Sequence, residues 1–262
     1  MSTFLLDAQN LGISFGGLKA VQALTLQIPP NALHGLIGPN GAGKTTAFNL
    51  LTGVYKPQTG SMTLNAQNLM GLPPHLIAKA GLSRTFQNIR LFGELSVLDN
   101  VMLASHCRGH HSIVATLFRS PTFLAQEQAM RRRAMHLLDL FALAPAAHAQ
   151  AKSLPYGDQR RLEICRALAT EPRVLLLDEP AAGLNPSEKQ ALAKLIQTVK
   201  AQFNLAVLLI EHDMSLVMQV CEQITVLDHG CTIAHGTPSQ IQSDPRVREA
   251  YLGEPTPTPA GT

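Results

Sequence analysis

Gly38-Pro39-Asn40-Gly41-Ala42-Gly43-Lys44-Thr45 decides the architecture of this chain. The stretch matches G-x-x-x-x-G-K-S/T, follows the apolar run Leu33–Ile37 and opens residues 44–52, which read as a helix stopped by Gly53. Glycines let backbone N–H groups wrap an anion, and a helix start adds the positive end of its dipole. In this pattern Lys44 reaches the β- and γ-phosphates of a nucleotide. Thr45 offers a hydroxyl to Mg²⁺, and Thr46 adds a donor beside it. A chance glycine-rich turn would not also have a buried strand before it and a helix after it.

Working outward from that loop, residues 174–177 form a second wholly apolar run, which a central strand buried on both faces requires. The run ends in Asp178 and Glu179. Two adjacent acids there have little structural purpose, but one can serve a metal while the other polarises a water in line with a γ-phosphate. Asn185, Pro186 and Glu188 make a capped helix start, and Leu192, Leu195, Ile196 and Val199 continue it at helical spacing. Ala206–Ile210 is a further buried strand. Alternating units of this kind predict an α/β fold with a mainly parallel sheet. Before the loop, residues 4–6 and 24–28 are strand candidates, and Pro29-Pro30 separates the second from Leu33–Ile37.

Residues 88–161 read differently. Met130, Ala134, Leu137, Leu138 and Phe141 fall on one helical face, as expected for core packing in a mostly helical insertion. Residues 253–262 hold three prolines and no core residue, so a disordered tail is expected.

The bulk numbers narrow the function. With 262 residues, 45% hydrophobic and 15% charged, the chain has the composition of a packed domain with a subdomain. A formal charge of +3 gives no argument for nucleic acid. The one basic run, Arg131-Arg132-Arg133, reads as a solvated helix face. Cys107, Cys165, Cys221 and Cys231 lack metal-ligand or C-x-x-C spacing, as suits a reducing cytosol. Cys107 with His110 and His111 lacks a fourth ligand, so these residues and His106 read as part of a variable surface loop. Residues 1–10 do not resemble a signal peptide, and no run of about 18 apolar residues exists to span a membrane. Any membrane role must come through a partner.

Several further stretches carry a resemblance. Leu154-Pro155-Tyr156-Gly157-Asp158-Gln159-Arg160-Arg161 resembles the signature sequence of ABC ATPases. His212 resembles their switch histidine, Gln87 in Arg84-Thr85-Phe86-Gln87 their Q-loop glutamine, and residues 182–186 their D-loop. Phe15 falls where that family sets an aromatic ring against adenine. Phe15-Gly16-Gly17-Leu18-Lys19-Ala20-Val21, residues 84–92, 156–164 and 181–186, and the ending Ala250-Tyr251-Leu252-Gly253-Glu254 are similar to the ATPase of branched-chain amino acid importers, and they also suit relatives that import urea, short amides or other amino acids.

The resemblance implies a P-loop core (residues 1–87 and 162–252) with a small antiparallel β region, and an inserted helical subdomain at 88–161. It implies ATP and Mg²⁺ as ligands. Gly38 through Thr46, with Phe15, Gln87 and Asp178, would hold them, and Thr45, Gln87 and Asp178 would surround the metal. Lys44, Glu179 and His212 would serve hydrolysis. Residues 154–159, namely Leu154, Pro155, Tyr156, Gly157, Asp158 and Gln159, together with Asn185, would face ATP held by a second ABC ATPase subunit. Two membrane permeases would complete the machine at the cytoplasmic face of the inner membrane, fed by an extracytoplasmic solute-binding protein. The ATPase of a lipid or glycolipid exporter and a soluble non-transport ABC ATPase are the alternatives.

Three departures stand out. Pro155 replaces the signature Ser and offers neither hydroxyl nor N–H. Tyr156 replaces the first signature Gly, as in the importer subgroup. Asn185 replaces the usual D-loop Asp.

Overall fold

Strand periodicity and buried apolar runs build two sheets in the computed structural model, which describes residues 3–108 and 121–252. The chain divides into two compact units. Residues 1–82 and 173–262 form the first, and residues 83–172 the second.

In the first unit β1 (Leu6–Phe15), β2 (Leu18–Ile28), β4 (Thr59–Leu64) and β5 (Gln67–Asn68) form an antiparallel sheet in the order β2-β1-β4-β5. Of the strand expected at residues 4–6 only Leu6 belongs to β1, which runs on to Phe15, and residues 24–28 are the end of β2. The longer strands escape a simple alternation test because β1 is irregular. Its register shifts between Ala8 and Leu11 and again near Gly12, and Asn10 sits at φ 51°. Gly12 is needed because a Cβ there would lie 2.6 Å from the Thr59 hydroxyl.

The second sheet runs in the order β10-β9-β3-β8-β7-β6. Its members are β3 (Leu33–Ile37), β6 (Leu82–Arg84), β7 (Val174–Asp178), β8 (Ala206–Ile210), β9 (Gln223–Asp228) and β10 (Cys231–Gly236). Strands β9, β3, β8 and β7 are mutually parallel, and β10 returns antiparallel on β9. All five residues of each of β3, β7 and β8 are buried, including the polar His34 of β3 and Asp178 of β7, as central strands covered on both faces require. Helix α1 (Lys44–Leu51) is enclosed by both sheets through Ala47, Phe48, Leu50 and Leu51. Helix α2 (Pro74–Ala80) closes a further edge through Ile77.

Helix α3 (Val97–Ser105), helix α4 (Pro121–Leu140) and helix α5 (Tyr156–Leu168) make the second unit. Of the expected helical face, Ala134, Leu137 and Leu138 are buried, Met130 is half-buried, and Phe141 is buried just past the end of the helix. Arg131, Arg132 and Arg133 are exposed, with Arg133 paired to Glu171. Buried Asn100 donates to the Phe92 and Ser96 carbonyls and accepts from the Phe92 amide, which fixes the loop before α3. The unit extends past residues 88–161 because α5 packs on α3, and Thr170 shares a 2.5 Å hydrogen bond with Ser83.

Helix α6 (Pro186–Phe203), helix α7 (Met214–Val220), helix α8 (Pro238–Ser243) and helix α9 (Pro245–Leu252) complete the first unit. The start of α6 is a reciprocal capping box. Asn185 accepts from the Glu188 amide at 3.0 Å, and Glu188 accepts from the Asn185 amide at 2.9 Å. Asn185→Ala removes one half of it. The expected loss is about 1 kcal/mol, or roughly 2–4 °C in Tm. Thermal unfolding checks this, with Asn185→Asp retaining wild-type stability.

The tail expected at residues 253–262, and His110 and His111 of the expected surface loop, lie outside the described residues. Among the described residues no helix is long and apolar enough to cross a membrane, and no group of three or more metal-ligating side chains forms a cluster.

Candidate active site

The loop after β3 owes its shape to three glycines. Gly38 has φ 152°, and a Cβ there would lie 2.1 Å from the Leu227 carbonyl oxygen. Gly43 is left-handed at φ 100°, and its Cβ would meet the Ala20 carbonyl at 2.6 Å. At Gly41 a Cβ would meet nothing within 4 Å, so there the conformation alone, φ 82°, calls for glycine. Gly43 is also the N-cap of α1, and no side chain caps that helix. The first-turn amides of Lys44, Thr45 and Thr46 therefore present a set of donors with a dipole behind them, which suits a polyanionic phosphate chain.

Lys44 is 8% exposed, and its Nζ donates to the Gly38 and Pro39 carbonyls at 2.7 and 2.9 Å. Burial lowers its pKa, and the opposing attractions of Glu179 and then Asp178 raise it. The ammonium and both acids thus share one electrostatic environment.

Register explains how the acids meet the histidine. In the parallel pair β7–β8, Asp178 lies opposite Ile210, so Glu179 emerges beside Glu211 and His212. Asp178 is 3% exposed. Glu179 turns sharply at φ 46°, with its amide donating to the Ile210 carbonyl at 2.9 Å. Its carboxylate lies 3.8 Å from His212 Nδ1. A buried carboxylate suited to a metal and a neighbouring acid with a histidine at its side can together polarise a water.

Glu211 is a member of this arrangement that sequence reasoning missed. It is fully buried and accepts from the Ala181 amide at 2.7 Å and the His212 amide at 3.2 Å. Burial raises its pKa, and the Ala181 amide and the His212 charge hold it down. It joins the turn after Glu179 to the turn carrying His212. Its position between a buried strand and His212 was the available signal. On the other side of His212, Asp213 caps α7 and pairs with Lys189 at 2.6 Å.

Phe15 ends β1 with its ring 44% exposed, a usable stacking face. Tyr55 packs edge-to-face on it, with centroids 5.2 Å apart. Gln58 exchanges two hydrogen bonds with the Ser14 backbone and steadies the strand end. Neither Tyr55 nor Gln58 belongs to a recognisable motif.

In the second unit, Pro155 is the N-cap of α5 and no side chain caps that helix. The Asp158 and Gln159 amides both donate to the Pro155 carbonyl at 3.0 Å. Gly157 is half-buried in the first turn, and the Gln159 side chain donates to the Leu154 carbonyl at 2.9 Å. Gln87 is exposed in the loop after β6.

A family model described as "ABC transporter" matches residues 21–182. The high-affinity branched-chain amino acid transport ATP-binding protein BraF of Pseudomonas aeruginosa is 46% identical, spanning 97% of this chain and 100% of that protein. The chain belongs to the ABC transporter ATP-binding family. It is an ABC ATPase, and its ligand is ATP.

The ABC relatives extend further. The LivG protein of Escherichia coli K12, of the same description as BraF, is 47% identical over the same shares. The lipopolysaccharide export ATP-binding protein LptB of that organism is 34% identical over 95% of this chain. A second family model, "Branched-chain amino acid ATP-binding cassette transporter", matches residues 231–256. The ABC cassette MJ1267 in its ADP conformation superposes with a TM-score of 0.84 at 29% identity, covering 97% of this chain and 100% of that one.

Proposed function

We propose that this ABC ATPase energises an importer of branched-chain amino acids at the cytoplasmic face of the inner membrane. The observation that carries this is the reach of the likeness. It runs over 97% of the chain to BraF and LivG, and it includes the C-terminal segment 231–256, outside the general ATPase motifs.

Within the site, Lys44 and the loop amides bind the β- and γ-phosphates, and Phe15 stacks on adenine. Thr45, Asp178 and Gln87 would hold Mg²⁺, for which a hydroxyl, a buried carboxylate and an amide oxygen are suitable hard donors. When bound, the ion would supply neutralising charge to the phosphates. Glu179 takes the proton of the attacking water, and His212 steadies the γ-phosphate side. Leu154 through Gln159 and Asn185 meet the ATP of a second ATPase subunit, where the uncapped start of α5 supplies N–H donors in place of the missing Ser hydroxyl.

Affinity purification through a tag on this chain from solubilised membranes tests the assignment. Two multi-spanning permeases and a second ABC ATPase should co-purify. Recovery of this chain with soluble partners alone favours a non-transport ABC ATPase.

A further inference from the structure

Arg160 is the largest fully buried side chain among the described residues, and the hydrolysis described above makes no use of it. Its guanidinium is unusually employed. Nη1 donates to the Phe86 carbonyl at 2.8 Å and to Glu163 at 3.2 Å. Nη2 donates to the Gln87 carbonyl at 2.7 Å and to the Tyr156 hydroxyl at 2.9 Å. Glu163, 1% exposed, accepts in turn from the Phe86 and Arg90 amides at 3.2 and 3.4 Å. The loop that carries Gln87 is therefore held by its backbone to α5 at four points.

The other end of the network is Tyr156, which stands where the signature pattern has its first Gly. It is the first residue of α5, its ring is 47% exposed, and Arg160 lies over it at 5.6 Å. Tyr156 and Arg160 are i and i+4 on one helix face. A phenol replaces a glycine here, and its hydroxyl fastens the first turn of α5 to the same guanidinium that fixes the Gln87 peptide. A fork of donors can hold two oxygens in a fixed relation, which a lysine point charge cannot. As a stability device the arrangement is poor. Arg160 Nε is buried with no hydrogen-bond partner among the described residues, and burying an ion pair gives little net stability.

We infer that Arg160, bridged by Tyr156 and backed by Glu163, is a positioning residue that ties the placement of Gln87 to the first turn of the signature helix. The inference rests on the proposed roles of Gln87 at this chain's own nucleotide and of the signature turn at the partner's. Through Arg160, closure on one nucleotide sets the geometry at the other.

A kinetic cycle tests this in the complex purified through a tag on this chain. Tyr156→Phe removes one oxygen from a half-exposed ring and leaves the fold intact. It should lower kcat about fivefold, the effect of one hydrogen bond, with KM for ATP within about twofold. Arg160→Lys should lower kcat further, about tenfold or more. In a Gln87→Ala background neither substitution should add a further loss, because both act through Gln87. Losses that multiply in that background, a raised KM at unchanged kcat, or wild-type kcat in Tyr156→Phe each overturn the inference. Wild-type kcat in Gln87→Ala alone removes the role given to Gln87 itself, and the latch with it.

Discussion

Glu179→Gln leaves nucleotide binding intact and lowers kcat by a factor on the order of 10²–10⁴, the range contributed by a positioned general base. The glutamine keeps the size and hydrogen-bonding reach of the side chain and loses only its ability to take a proton. The surroundings tolerate the change. Glu179 is partly exposed, and its left-handed backbone is held by its own amide on the Ile210 carbonyl, which the substitution keeps. Asp178 is buried one residue earlier, and fully buried Glu211 is engaged with the Ala181 and His212 amides, so neither can stand in as base. ATP turnover of the assembled complex, measured beside nucleotide affinity of the isolated chain, checks the result. Near wild-type turnover sinks the assignment of Glu179.

Lys44→Ala acts on binding. It should weaken ATP affinity about 10–100-fold, the value of charge-assisted hydrogen bonds to phosphate. The lysine is poised for that task, since it is buried, donates to two carbonyls of its own loop, and is drawn by Glu179 and Asp178. Lys44→Arg should not rescue, because a planar fork does not fit a buried slot shaped for a point charge. Equilibrium titration with ATP, with thermal unfolding as a control for folding, gives the answer. Unaltered affinity in a folded variant counts against the phosphate-binding role of the loop.

Much of the first unit could be read from the sequence because burial on both faces leaves a plain signal. Residues 174–177, closed by Asp178, and Ala206–Ile210 are unbroken apolar runs, and both lie in central strands. The Asn185, Pro186 and Glu188 start of α6 has chemistry specific enough to fix a helix end to the residue. Strand β1 was harder. Its register shifts and the positive φ of Asn10 break the alternation that marks a half-buried strand.

The candidate site divides along the same line. Its loop, Asp178, Glu179 and His212 stand in local patterns. Glu211 acts through a tertiary hydrogen bond to the Ala181 turn, 30 residues away in sequence, so its place between a buried strand and His212 marks its position but not its task. Tyr55 is likewise defined only by the ring it meets. Asn185 and Tyr156 appear in sequence as departures from the wider family. In the structure each has a local task, one capping α6 and the other meeting Arg160.

Transport by the reconstituted complex bears most directly on the whole reading. Proteoliposomes holding the complex purified through this chain, supplied with its solute-binding protein and with ATP on the side of this chain, should accumulate radiolabelled leucine, isoleucine or valine. Accumulation should require ATP and fall to background with Glu179→Gln. ATP turnover without accumulation of any of the three, or accumulation that persists with Glu179→Gln, contradicts the proposal that hydrolysis by this chain drives branched-chain amino acid import.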